Sequence, residues 1–284
     1  MSESIPRREL KTDDFFDDLD SSLPREKVAS TPALSSRSIL TLFFASVLGS
    51  LLVVPYSMAL LRQTKGLALA EGGLPMVMAV SVIFEVGLSA ISLILGLRLG
   101  PRAGLGTPLL VGVESVPPDR SRTRRAIVLS VILGIMSAAA IIASAEGLHA
   151  FMPSPDEGFK SPAPLASFLG SIGAGIREEM WLRFGLMTLA TWFGAKLWGQ
   201  NPARPPVIWL ANIFAGFIFG AIHLPQAQGI IGLTVPLVAF VLLGNGLTGI
   251  VFGWLYWRKG LIAAMISHAF ADIVLKVVYP LFSS

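Results

Sequence analysis

The chain contains no cysteine among its 284 residues. Disulfides, thiolate metal sites, iron–sulfur clusters and a cysteine nucleophile are therefore excluded as features of this sequence. Charge is nearly as scarce. Asp, Glu, Lys and Arg together make up 14% of the chain, against about 25% in an ordinary soluble domain. Histidine occurs three times. The sequence also lacks His-Glu-x-x-His, Gly-x-Ser-x-Gly and a phosphate loop, which argues against a soluble-type zincin, an α/β-hydrolase and a nucleotide-driven pump.

In place of charge there is apolar surface. Hydrophobic residues account for 53% of the chain and mean hydropathy is +0.69. Too few charges remain to cover a water-facing surface, so lipid must solvate much of the molecule. Apolar runs recur at 39–61, 74–97, 126–145, 165–198, 207–223, 233–257 and 261–279. About 20 residues at 1.5 Å each cross the apolar core of a bilayer, and the runs are too long for the strands of an outer-membrane barrel. The expected fold is all-α, a polytopic transmembrane helical bundle of about seven spans, with six or eight as the neighbouring counts. Residues 1–38 read as a polar cytoplasmic tail, 39–145 as three N-terminal spans and 163–280 as a helical core. Segments 98–125, 151–164 and 225–232, rich in proline and glycine, read as connectors.

The net charge of +4 comes with basic residues gathered between runs. With the N-terminus inside, sixteen Lys/Arg fall in inside segments and three, Arg62, Lys65 and Lys160, in outside ones. This is the asymmetry that sets membrane topology. It predicts a plasma (inner) membrane protein with a cytoplasmic N-terminus, partnered by the lipid bilayer and not by nucleic acid.

Ionisable groups within a span are costly and usually functional. Here they are Glu85, Arg177, Glu178, Glu179, Arg183, His223, His268, Asp272 and Lys276. Glu179 and Arg183 are four residues apart and share a helix face, so they can pair, while Glu178 points about 100° away. His268 and Asp272 also share a face. That pair could bind a divalent cation or orient the imidazole toward a carbonyl oxygen. Phe219 lies one turn before His223 and could wall a pocket. Glu85 reads as a polar interhelical contact, with a pair to Lys276 or a gate on a proton path as the alternatives, and Asn212 and Asn245 could form interhelical hydrogen bonds. The glycines Gly244, Gly246, Gly249 and Gly253 favour close helix packing. Straight helices would leave His223 at the outer end of its span and His268 about 10 Å from the inner end of its own.

Glu178-Glu179-x-x-x-Arg183, Phe219-x-x-x-His223 and His268-x-x-x-Asp272, in that order and within apolar runs, resemble the CPBP intramembrane protease family. That family includes type II CAAX prenyl endopeptidases and bacterial Abi proteins, and the resemblance covers about residues 165–275. It implies an intramembrane endopeptidase acting on membrane-associated protein or peptide substrates, with cleavage near substrate C-termini among the implied activities. Glu178 would activate water with help from His223, Glu179 and Arg183 would hold the site, and His268 and residue 272 would stabilise the oxyanion. Many relatives carry Asn at the last position. An ionised Asp272 cannot donate a hydrogen bond, which leaves it to be protonated, to orient His268 or to bind metal. The resemblance implies either no cofactor or a divalent metal such as zinc, held by Glu178, His223, His268 and Asp272. The same residues also admit a metal-dependent form of the protease, a non-catalytic immunity or scaffold protein, and a proton-coupled transporter.

Overall fold

A computed structural model describes residues 36–63, 73–105, 120–151 and 159–282. The expected tail lies outside the described residues except for its last three, which already belong to the first helix.

Each apolar run becomes helix. In chain order these are α1 (Ser36–Leu61), α2 (Gly73–Ala103), α3 (Arg120–Leu148) and α4 (Pro164–Glu179). A π-helical segment (Met180–Met187) runs directly into α5 (Thr188–Leu197). Then come α6 (Pro205–Ala221), α7 (Leu224–Ile230), α8 (Val235–Lys259) and α9 (Leu261–Ile273), the last extended by π turns over Val274–Val278 and a 3₁₀ turn to Leu281. No strand occurs among the described residues.

Among the described residues, six helical segments are long and apolar enough to cross a membrane: α1, α2, α3, α6 with α7, α8, and α9 with its extension. The protein is an integral membrane protein with an all-α bundle. The remaining run, the fourth, is one continuous helical stretch from α4 through α5, but it carries Arg177, Glu178, Glu179, Arg183 and Lys196. It can carry the first four because its neighbours shield them. α4 packs against α1 and α9, and the π segment against α2, α6, α8 and α9. Met180, Arg183 and Met187 are fully buried. Helices on the outside show the opposite pattern. Ile83 and Phe84 on α2 are 73% and 70% exposed, as expected where the solvent is acyl chain rather than water.

Two of the expected connectors are partly helical. α2 continues through Ala103 and α3 begins at Arg120, so both enter the segment assigned to 98–125. The expected turn at 225–232 is largely α7, with Pro225 in its first turn, where a missing N–H costs nothing. This revises the position of His223. α6 alone is 17 residues, about 25 Å, and the spanning segment continues to Ile230. His223 therefore sits at the junction of α6 and α7, inside the candidate spanning segment Pro205–Ile230.

Small residues bring the helices close. A Cβ on Gly249 would meet the Phe219 ring at 3.0 Å, and one on Gly246 would come within 3.5 Å of the Gly216 carbonyl. Gly253 faces the Asn212 side chain, whereas Gly244 makes no such close approach. Asn212 donates across helices to the Ile250 carbonyl at 3.0 Å. Asn245 instead donates to the Val241 carbonyl, one turn back on its own helix. α4 meets α9 at Gly175, where an added Cβ would lie 2.9 Å from the Met265 carbonyl oxygen. Both atoms belong to rigid backbone, so Gly175→Val should cost about 1–3 kcal/mol, read as a lower melting temperature in detergent.

Candidate active site

Among the described residues there are five acids, and four of them, Glu85, Glu178, Glu179 and Asp272, lie in one cluster. Three basic residues face them. Arg183 Nε lies 3.0 Å from Glu179 Oε2, and both side chains are fully buried. Lys276 Nζ pairs with Asp272 Oδ2. Arg177 pairs with Glu85 and also places Nη2 3.4 Å from Glu178 Oε1. Glu85 thus makes a polar interhelical contact, with Arg177 and not with Lys276. Each base joins an acid one helical turn away or on an adjacent helix, because buried charges need a near counter-charge.

His268 links the carboxylates. Its Nδ1 lies 2.9 Å from Glu179 Oε1 and donates there. Glu179 is thus held at both oxygens, by Arg183 and by His268. His268 Nε2 faces Glu178 Oε2 at 4.0 Å and Asp272 Oδ2 at 3.9 Å. Glu178 Oε2 is buried and has no protein hydrogen-bond partner. Glu85 Oε2 and Glu179 Oε2 share that condition, but Arg183 Nε stands 3.0 Å from the Glu179 oxygen, and of the other two it is the one on Glu178 that stands against an imidazole.

Phe219 joins the two histidines. Its ring meets His223 edge-on at 4.9 Å and His268 at 5.3 Å, and the Arg183 guanidinium sits 5.4 Å from its centroid. Phe252 stacks on His268 at 5.0 Å. The aromatic rings pack against both imidazoles, of which His268 is buried and His223 half-buried. His223 Nδ1 lies 2.7 Å from the Phe219 carbonyl oxygen. A carbonyl only accepts, so this nitrogen carries a proton, and in the neutral ring Nε2 is then an acceptor. His223 also falls among the electrostatic neighbours of Glu178, with Arg177, His268 and Lys276. The groups that straight helices would separate in depth are thus brought together.

All seven residues singled out from the sequence, Glu178, Glu179, Arg183, Phe219, His223, His268 and Asp272, lie in this region. The four expected metal ligands do not make a ligand set. Among the described residues no three His, Asp or Glu side chains are grouped so as to hold an ion. Asp272 is committed to Lys276 and Glu179 to Arg183, and Arg177 stands beside Glu178. A divalent cation would have to compete with three resident positive charges, so the donors present do not fit one.

Sequence reasoning did not find Tyr56. Its ring lies 5.1 Å from Lys276 Nζ. A tyrosine within an apolar run carries no periodic or motif signal, and the partner is distant in sequence. Nor does the pattern reveal the π turns at Met180–Met187, which carry Arg183 and recur at functional sites in other proteins. Ser267, next to His268, is fully buried and packs where α3 approaches at Gly134.

No curated protein and no solved structure matches the chain. Glu85, Tyr56 and Lys276 lie outside the segment that a protein family accounts for, and the seven motif residues lie inside it: residues 160–274 match the family described as Type II CAAX prenyl endopeptidase Rce1-like.

Proposed function

We propose that the protein is an intramembrane endopeptidase in which Glu178 activates water. The observation that carries this reading is the Oε2 of Glu178, buried without a hydrogen-bond partner and turned toward His268, in a cluster whose other carboxylates each meet a base more closely than Glu178 meets Arg177. A general base needs a free lone pair within reach of the water it deprotonates. This oxygen has one, beside the His268 ring that Phe219 and Phe252 pack against.

In the proposed reaction Glu178 Oε2 takes a proton from water as the oxygen attacks the scissile carbonyl carbon. The carbonyl π electrons move to its oxygen. When the C–N bond breaks, they return, and the leaving nitrogen takes the proton from Glu178. The products are a carboxylic acid and an amine. His223, with its Nε2 an acceptor, assists by holding the water. Phe219 fixes the His223 ring, and Glu179 with Arg183 fixes His268.

Charge arithmetic bears on the oxyanion. Four acids face three bases, Arg177, Arg183 and Lys276. A proton on His268 brings the count to four against four and gives Nε2 an N–H to donate, since Nδ1 is engaged with Glu179. Asp272, paired with Lys276, places its carboxylate 3.9 Å from His268 Nε2, where its charge favours a proton on that ring; it is not the donor.

The substrate class is a membrane-associated protein or peptide, cut near its C-terminus, in a plasma membrane with the N-terminus of the enzyme inside. The test is cleavage in reconstituted vesicles, read as new peptide termini by mass spectrometry. His223→Gln should lower turnover by about 10²-fold or more. New termini that appear equally with wild type and with His223→Gln would overturn the assignment of His223.

A further inference from the structure

Glu85 and Ser89 lie four residues apart on α2, so they share one face. Arg177 and Trp181 are likewise four apart, at the junction of α4 and the π segment. The two pairs face each other as two rungs. Arg177 Nη1 pairs with Glu85, and Trp181 Nε1 donates to Ser89 Oγ at 2.8 Å. The guanidinium also stacks over the Trp181 ring at 5.3 Å. Arg177 thus has its position set mainly by α2, and only Nη2 touches Glu178, at Oε1. α2 lies wholly outside the segment that matches a known family.

We propose that Glu85 is a positioning residue for Glu178, acting through Arg177. The inference rests on the reading of Glu178 as the base. A guanidinium is a planar fork that clasps both oxygens of a carboxylate when it is free to do so. Clasped in that way, Glu178 would lose the open oxygen that water needs. Glu85 counters this by anchoring the guanidinium at Nη1, in a position where only Nη2 reaches Glu178, at Oε1, and Nε meets no acceptor, so that Oε2 stays available. The second span is then part of the catalytic apparatus and not only its support.

The experiment uses full-length protein in vesicles and two readouts. The first is cleavage. Glu85→Gln should lower kcat about tenfold to a hundredfold, the range for a misplaced reacting group, with KM unchanged. Glu85→Asp should retain most of the rate. Adding Arg177→Gln to Glu85→Gln should raise the rate again, which loss of a structural contact would not do. The second readout needs no substrate. It is the rate at which dicyclohexylcarbodiimide modifies Glu178 at one fixed pH, measured by peptide mass. Labelling should slow several-fold in Glu85→Gln and quicken in Arg177→Gln. Ser89→Ala, which breaks the other rung, should lower the melting temperature and leave labelling unchanged. Wild-type labelling rates in Glu85→Gln would overturn the inference. If that variant does not fold, an unaltered rate in Arg177→Gln would overturn it instead. Absence of cleavage by the wild type would remove the protease reading, while labelling would still decide whether Glu85 governs access to Glu178.

Discussion

Glu178→Gln is expected to reduce cleavage by about 10²–10⁴-fold, the usual contribution of a positioned general base. The amide is nearly the same size and keeps a carbonyl oxygen toward Arg177, so folding should survive. What disappears is the ability to take a proton from water. The assay is the same appearance of new termini in vesicles, with circular dichroism and a melting curve to establish that the variant is folded. A variant that is folded and as active as wild type would remove the general-base mechanism. It would leave the non-catalytic reading, in which the motifs persist without the chemistry. The contrast with Glu179 is informative. Glu179 is equally acidic and adjacent in sequence, but Arg183 and His268 occupy its two oxygens.

The largest effect on stability should come from Arg183→Met. Arg183 and Glu179 are both fully buried, and removal of one partner leaves a buried charge without compensation. Such a loss costs about 3–5 kcal/mol, enough to consume much of the stability of a typical domain. Combining Arg183→Met with Glu179→Gln should recover most of that loss, because neither position is then charged. Activity should not return, since a neutral amide in place of the Glu179 carboxylate no longer balances a proton on His268. The measurement is thermal unfolding in detergent for the two single variants and the double variant. Additive destabilisation in the double variant would show that the pair is not coupled.

The sequence exposes this much of the molecule because a membrane enforces simple rules. Each apolar run has to be helical to satisfy its own backbone, and the seven runs correspond to seven helical stretches. The cluster is visible for the same reason: ionisable residues at 178, 179, 183, 223, 268 and 272 stand out against an apolar background. Pairings between helices are less legible. The i, i+4 partners Glu179–Arg183 and Asp272–Lys276 follow from helix geometry, whereas Glu85–Arg177 depends on which helices are neighbours and at what rotation. The depth of His223 is hidden because Pro225 resembles a turn, although proline also opens helices. The π turns at Met180–Met187 leave no pattern, since one extra residue per turn is set by packing around Arg183 and Thr188 and not by local propensity. Thr188 accordingly bonds the Arg183 carbonyl five residues back, at 3.0 Å.

The burial of charge in α4 and its continuation also constrains how the protein is made. A charged residue at the centre of an isolated span costs about 2.5–3.5 kcal/mol on insertion scales, and this segment carries four within seven residues, Arg177 to Arg183. It has little tendency to leave the insertion machinery alone. Glu85 and Ser89 have been synthesised by then and can receive Arg177 and Trp181, but His268 emerges 89 residues after Glu179. Biogenesis of the bundle is therefore expected to run in two stages: the fourth segment is first escorted by the second, and its inner face is sealed only when the last segment arrives.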